Sequence, residues 1–174
     1  MECQLVGWPD DGVTLELDHE RFAYAGKFVM SGTGKAVATA GGDLLAAAAF
    51  NRDRTDQEVW RLRTVTVRRD RRGEGIGPRL LDFAARRLLE CGRAVRIAVN
   101  NPFAYEAAYK AGFGFTGERT GLAELVLERP DERDPAAYRA GLDVYREREE
   151  LSAPERAFVA GRDGSMPPLV GPEP

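Results

Sequence analysis

Residues 59–77 constrain this chain more than any other stretch. Val59-Trp60-Arg61-Leu62-Arg63-Thr64-Val65-Thr66-Val67 alternates β-branched or apolar residues with polar ones. That is the two-residue period of a strand with one buried face. A polar loop follows, Arg68–Gly77, with glycine at 73, 75 and 77. Leu80, Leu81, Ala84, Ala85, Leu88 and Leu89 then recur at helical spacing, with Arg79, Asp82, Arg86, Arg87 and Glu90 on the other face. Pro78 suits a first helical position and Gly92 a C′ position. A helix N-terminus carries unpaired N–H groups and partial positive charge, and glycines let a phosphate come close to them. The unit therefore suits a diphosphate. The dinucleotide fingerprint fails by spacing, because Pro78 and Leu80 stand where its last glycine is needed. The Walker loop fails because no Gly-Lys-Ser/Thr closes this one.

The stretch before it reads as short strands and turns. Gln4–Trp8 and Val13–Asp18 flank Pro9-Asp10-Asp11-Gly12. Arg21–Met30 is either a strand or an irregular loop. Lys35–Ala40 and Leu44–Phe50 bracket Gly41-Gly42-Asp43, a hairpin signal. After the helix come a strand at Ala94–Val99 and a helix from Asn101-Pro102 to about Ala111. Strands at Gly112–Thr116 and Leu122–Glu128 follow. Past Arg129-Pro130 the composition turns charged and alanine-rich. Asp134-Pro135 opens a helix with Tyr138, Leu142 and Tyr145 on one stripe. Ser152 and Glu155 form a capping box for a short helix ending near Gly161. Residues 162–174, rich in Gly and Pro, read as a mobile tail.

Composition narrows the function classes. Two cysteines, Cys3 and Cys91, and one histidine, His19, build neither a disulfide framework nor a zinc site, and no metal is expected. A net charge of −3 opposes general binding to nucleic acid or anionic membranes. Arg61, Arg63, Arg68, Arg69, Arg71 and Arg72 nevertheless form a basic run beside the glycines, either a solvated face or an anion site. The N-terminus lacks the pattern of a secretory signal, and the longest apolar run, Leu44–Phe50, is too short to span a bilayer. A cytoplasmic protein is expected.

The spacing Arg72-x-x-Gly75-x-Gly77 lies five residues after Val67. Asn101-Pro102-Phe103-Ala104 follows, and then Gly112-Phe113 enters a strand. Together these resemble the GNAT superfamily of acyl-CoA-dependent N-acetyltransferases, over about two-fifths of the chain from Val59 to Glu128. The resemblance implies acetyl-CoA as co-substrate. Arg72, Gly73, Glu74, Gly75, Ile76 and Gly77 would hold its pyrophosphate. The backbone of Val65, Thr66 and Val67 would pair with its pantetheine arm like an added strand and polarise the thioester carbonyl. Asn101 would meet the arm where two strands splay. It also implies direct attack by an amine, without an acyl-enzyme.

The chain departs from the family at the acid. The family's tyrosine position falls on Ala108. Tyr109 is one residue late, about 100° around the helix, and Tyr105 lies one turn earlier. Tyr109 is taken as the acid that protonates the thiolate, Tyr105 is the second candidate, and packing of both rings on the sheet is the alternative. No base is assigned, since Arg61 stands where some members place a Glu. Arg61 and Arg63, on one face of the strand, either bind an acidic acceptor or pair with surface carboxylates. Cys91 is expected to be buried and inert.

The expected fold is α/β (α+β), a mixed, mostly antiparallel sheet flanked by helices. Residues 1–129 form the acetyltransferase domain, 130–161 a C-terminal helical extension packed on the core or on a second copy in a homodimer, and 162–174 a flexible tail. The expected function is acetyl transfer to a primary amine of a small molecule or peptide. A non-catalytic acyl-CoA-binding or interaction module is the alternative.

Overall fold

The computed structural model describes residues 1–171. It contains strands β1 (Glu2–Gly7), β2 (Gly34–Ala40), β3 (Asp43–Arg52), β4 (Val59–Val67), β5 (Ala94–Val99), β6 (Gly114–Arg119) and β7 (Leu125–Arg129). The α-helices are α1 (Ile76–Leu89), α2 (Pro102–Lys110), α3 (Pro135–Arg146) and α4 (Ala153–Ala160). The strands form a mixed sheet of the α/β class. The chain groups into two compact units, Met1–Val95 with Val170 and Gly171, and Arg96–Leu169, a division different from the boundary read at 129.

In the first unit β1, β2, β3 and β4 form an antiparallel meander. Its centre is β3, whose Leu45–Phe50 stretch has almost no exposed surface. Ala46 to Ala49 is strand, as read. Alanine is used there because both faces are covered at close range. Helix α1 packs on β3 and its neighbours. Phe28, Val37, Ala47 and Ala49 form a cluster with the partly buried Val6, Leu15, Leu17 and Leu44. Gly92 lies past the end of α1 and takes no left-handed turn. Its small size is what counts, because a Cβ there would stand 2.6 Å from the Trp60 ring.

The expected strand at Val13–Asp18 does not form. Residues 8–33 are an irregular connection with two 3-10 turns, Pro9–Asp11 and Ala25–Val29. Lys35 explains why. Its side chain is fully buried, and the ammonium donates to Val13 O at 3.0 Å, Met30 O at 2.8 Å, Thr33 O at 2.8 Å and Thr33 Oγ1 at 2.7 Å. Carbonyls drawn from Val13, Met30 and Thr33 to one buried point bend the connection around it. Burial pulls the Lys35 pKa below its ordinary value.

In the second unit β6 and β7 pair antiparallel beside β5, and α2, α3 and α4 complete it. Its core is aromatic. Tyr105, Tyr109, Tyr138 and Tyr145 are fully buried, and Tyr105 lies 5.0 Å from Tyr109, 5.7 Å from Tyr138 and 5.6 Å from Tyr145 between ring centroids. Asp134 caps α3 by accepting from Ala136 N–H at 3.0 Å, and the Ser152/Glu155 capping box opens α4 as read. Glu106 on α2 pairs with Lys110 at 2.9 Å and with Arg162, just past α4, at 2.6 Å. The C-terminal helices thus belong to the core of this unit. The tail is irregular to Gly171 but anchored, since Gly164 is buried and Arg133 donates to Pro167 O at 3.1 Å. Residues 172–174 of the expected mobile tail lie outside the described residues.

Lys35→Met keeps the buried stem but leaves the carbonyls of Val13, Met30 and Thr33 without their donor. A loss of about 1–3 kcal/mol is expected in urea unfolding, the cost of unsatisfied buried acceptors. Unchanged stability would show that the ammonium does not organise the 8–33 connection.

Candidate active site

The loop after β4 is set by its own backbone. Arg68 N–H donates to Leu45 O at 2.8 Å, Arg69 N–H to Arg21 O at 2.9 Å, and Arg71 N–H to Arg68 O at 2.9 Å, closing a 3-10 turn over Arg69–Arg71. Gly73 and Gly75 then take φ of +83° and +78°. Other residues adopt that conformation at a cost, which is why the glycines stand there. A Cβ at either would meet nothing within 4 Å, so the space over the loop is open. Gly75 turns the chain into α1, which begins at Ile76 rather than at Pro78. Pro78 is therefore the third helical residue. It has no N–H, and the first-turn donors are the amides of Ile76 and Gly77. Arg79 N–H already closes on Gly75 O at 3.4 Å. On β4, Val65 and Val67 lie opposite Ala48 and Ala46. Val67 reaches α1, where a Cβ on Gly77 would come within 3.4 Å of its Cγ2. Thr66 is buried and its Oγ1 has no hydrogen-bond partner among the described residues.

The arginine run divides into paired and unpaired groups. Arg68 pairs with Asp70 at 2.7 Å and Arg71 with Glu74 at 2.8 Å, so Glu74 is occupied within the loop itself. Arg69, Arg72 and Arg79 are exposed and have no ion pair among the described residues. Unbalanced positive charge thus collects beside the two open amides.

Arg61 and Arg63 take different partners. Arg61 Nε donates to Asp53 Oδ2 at 2.6 Å. The other oxygen of Asp53 accepts from Thr55 N–H at 2.9 Å and Thr55 Oγ1–H at 2.8 Å. Arg61 thus secures the β3–β4 turn, and an acceptor would have to displace a buried carboxylate to reach it. Arg63 is the extra residue of a bulge, because Phe50 opposes Leu62 and Ala49 opposes Thr64. Its Nε donates to Asn51 Oδ1 at 2.6 Å, a neutral partner that leaves its charge unmatched. His19 is exposed in a turn, and Cys91 is exposed rather than buried.

In the second unit Asn101 is the N-cap of α2, its Oδ1 accepting from Ala104 N–H at 2.8 Å. Ala108 is fully buried. The two expected acids are also fully buried. Tyr105 Oη–H donates to Tyr138 O at 2.9 Å, and Tyr109 Oη accepts from Phe115 N–H at 2.8 Å. A Cβ on Gly141 would stand 2.1 Å from Tyr105 Oη, so α3 leaves that hydroxyl no free space. Burial, the largest cause, pushes both phenols above their ordinary pKa. With no accessible surface, neither can touch a bound thioester unless the unit opens. The expectation that Tyr109 or Tyr105 serves as acid gives way to the packing role.

The hydrogen bond from Arg61, with those from Thr55, holds the Asp53 carboxyl well below the usual carboxylate range. A depressed folded-state pKa gives stability that is present above about pH 4, the unfolded value, and lost as pH falls. Asp53→Asn should lower stability by about 1–3 kcal/mol at pH 7. It should also flatten the decline of Tm below about pH 4. An equally steep acid limb in the mutant would mean that another carboxylate governs it.

A profile of the acetyltransferase (GNAT) family matches residues 1–115. No curated protein matches the chain in sequence. Solved structures do resemble it. An acetyltransferase from Thermus thermophilus aligns at 20% identity and TM-score 0.50 over 57% of this chain and 64% of its own. An N-acetyltransferase from Staphylococcus aureus Mu50 gives 19%, TM-score 0.48, 55% and 66%. A Salmonella typhimurium protein determined with its cofactor acetyl-CoA gives 16%, TM-score 0.49, 59% and 69%. The chain spans about two thirds of the length of these structures. At such identities the likeness concerns the fold. The sequence match covers most of the chain and includes β4, the glycine loop and α1, and the chain belongs to the GNAT acetyltransferase family.

Proposed function

We propose that this protein transfers an acetyl group from acetyl-CoA to a primary amine by direct attack. The observation that carries the reading is the loop from Arg72 to Gly77. It has left-handed glycines, open space above them, two first-turn amides without an intrahelical partner, and an Arg72 with no ion pair among the described residues. These residues fit a diphosphate, and Arg72 with the amides through Gly77 would hold that of coenzyme A. Acetyl-CoA supplies a thioester whose acyl group passes to the amine as the thiolate leaves. The β4 main chain at Val65–Val67 would orient the pantetheine arm. With Tyr105 and Tyr109 enclosed, water or the acceptor's own ammonium supplies the proton to the thiolate. A thiol's pKa is near 8.5, so that step needs little help at neutral pH.

The second reading, a non-catalytic acyl-CoA-binding module, draws on the buried Ala108 at the family's tyrosine position. Coenzyme A binding is common to both readings. Release of free thiol from acetyl-CoA across a panel of amines separates them, and tight binding without release would leave only the module.

Millimolar coenzyme A should raise Tm, by the equivalent of about 1–2 kcal/mol for a Kd near ~100 μM. Gly77→Ala places its Cβ at an ordinary 3.4 Å from Val67 and has no left-handed φ to strain. It should fold normally yet lose most of the shift by obstructing the phosphate's approach. An unchanged melting curve in the native protein would remove the acyl-CoA reading. Tyr105→Phe and Tyr109→Phe should each cost about 1–3 kcal/mol of stability while kcat stays within about threefold. A hundredfold fall in kcat for either would restore that phenol as the acid.

A further inference from the structure

One side chain of the glycine loop is itself an anion. Glu74 stands between Gly73 and Gly75, the two residues whose left-handed backbones shape the loop. Its carboxylate is taken by Arg71. Arg71 Nε donates to Oε1 at 2.9 Å and to Oε2 at 2.8 Å, and Nη2 lies 2.8 Å from Oε2. The guanidinium thus meets both oxygens along its Nε–Nη2 edge. Arginine takes two oxygens of a phosphate in the same two-pronged way. Arg71 reaches forward past Arg72 and Gly73 to make this contact, so its guanidinium is held at the loop. The pair is open to solvent, with the two side chains 35% and 47% exposed. No other side-chain hydrogen bond or ion pair involves either residue among the described residues. The pair before it is different in kind. Arg68 meets Asp70 at 2.7 Å and 3.1 Å, but the Arg68 side chain is only 12% exposed and belongs to the packed turn that precedes the loop.

An exposed pair of this kind adds little stability, and a carboxylate opposes any anion that the loop receives. Both facts argue for a part in binding rather than in folding. We infer that Glu74 is a built-in competitor for the diphosphate of coenzyme A. It occupies Arg71 until a diphosphate displaces it and takes the same edge of the guanidinium. The inference rests on the acyl-CoA reading and gives that site the residue that sets its affinity. Arg71 joins Arg72 as a phosphate ligand. Glu74 weakens binding in two ways, by holding Arg71 and by repelling the diphosphate. The exchange is non-covalent, with Arg71 passing from one anion to another. As the coenzyme departs, the carboxylate of Glu74 closes on Arg71 again, which favours release of the product.

The test is calorimetric titration of coenzyme A into the full chain and into Glu74→Gln, Arg71→Ala and the double variant, with Glu90→Gln as the control. Glu90 pairs with Arg87 at 3.1 Å just past the other end of α1. It is an exposed pair of the same kind, and its loss changes the net charge equally. Since all these side chains are at the surface, the variants should melt near the native Tm without ligand. Glu74→Gln should tighten Kd about threefold or more, and Arg71→Ala should weaken it by about as much. In the Arg71→Ala background the change at Glu74 should gain clearly less, because no guanidinium is left to release. That inequality is the coupling a double-mutant cycle reads. Glu90→Gln should leave Kd unchanged. An unchanged or weaker Kd in Glu74→Gln, a native Kd in Arg71→Ala, or an equal gain from Glu74→Gln with and without Arg71 overturns the competitor role and leaves coenzyme binding standing. A native protein that takes up no coenzyme A overturns both.

Discussion

Close cover on both faces of β3 organises the first unit. A strand of four alanines presents little side chain, so whatever packs on it must come near. Helix α1 does so from one side, and Phe28 with the residues around Leu15 and Leu17 does so from the other. The placement of α1 follows from this packing, and with it the placement of its N-terminus beside the end of β4. The loop adds the second condition. Glycines at φ of +83° and +78°, with open space beside them, turn the chain into α1, whose first-turn amides at Ile76 and Gly77 have no intrahelical partner. The phosphate-binding role proposed for the loop would thus be a product of core packing and two left-handed residues, with charge added by Arg69, Arg72 and Arg79.

Charge in this protein is mostly settled locally. Arg61, Arg68 and Arg71 each have a carboxylate within a few residues or across a turn. Exposed pairs of this kind add little stability, but they decide which cations remain for a ligand. At other sites an arginine meets only neutral oxygen. Arg63 against Asn51 is one, and Arg148 against Asn100 and Ala123 is another. Lys35 follows the same principle inside the protein, where four neutral acceptors hold a buried ammonium and give the 8–33 connection its shape.

Much of the first unit was legible in the sequence. β4 was read to the residue, and the glycine loop and α1 close to it, because a two-residue period, three glycines and a 3.6-residue period are local signals. The irregular course of residues 13–30 was not legible. It depends on an ammonium from β2, distant in sequence, and Val13–Asp18 carries the pattern of a strand. The sequence left Arg61 between an acceptor contact and a carboxylate pair, because its partner Asp53 lies across a turn that composition does not reveal. Helical spacing kept Tyr105 and Tyr109 open as acids. Spacing gives the direction of a side chain on its own helix and says nothing of Tyr138 and Gly141 on α3, which close over them.

The sequence by itself determined the alternation that makes β4 a strand, the left-handed turn into α1, the caps of α2, α3 and α4, and membership of an acyl-CoA-dependent family. The strand, the turn and the caps rest on residues within a few positions of one another, where backbone sterics and local hydrogen bonds act, and the family membership rests on several such local motifs in order along the chain. Tertiary structure decided which cations stay unpaired and that both candidate phenols are enclosed. Those outcomes depend on groups far apart in the chain whose desolvation and pairing exist only once the units are packed.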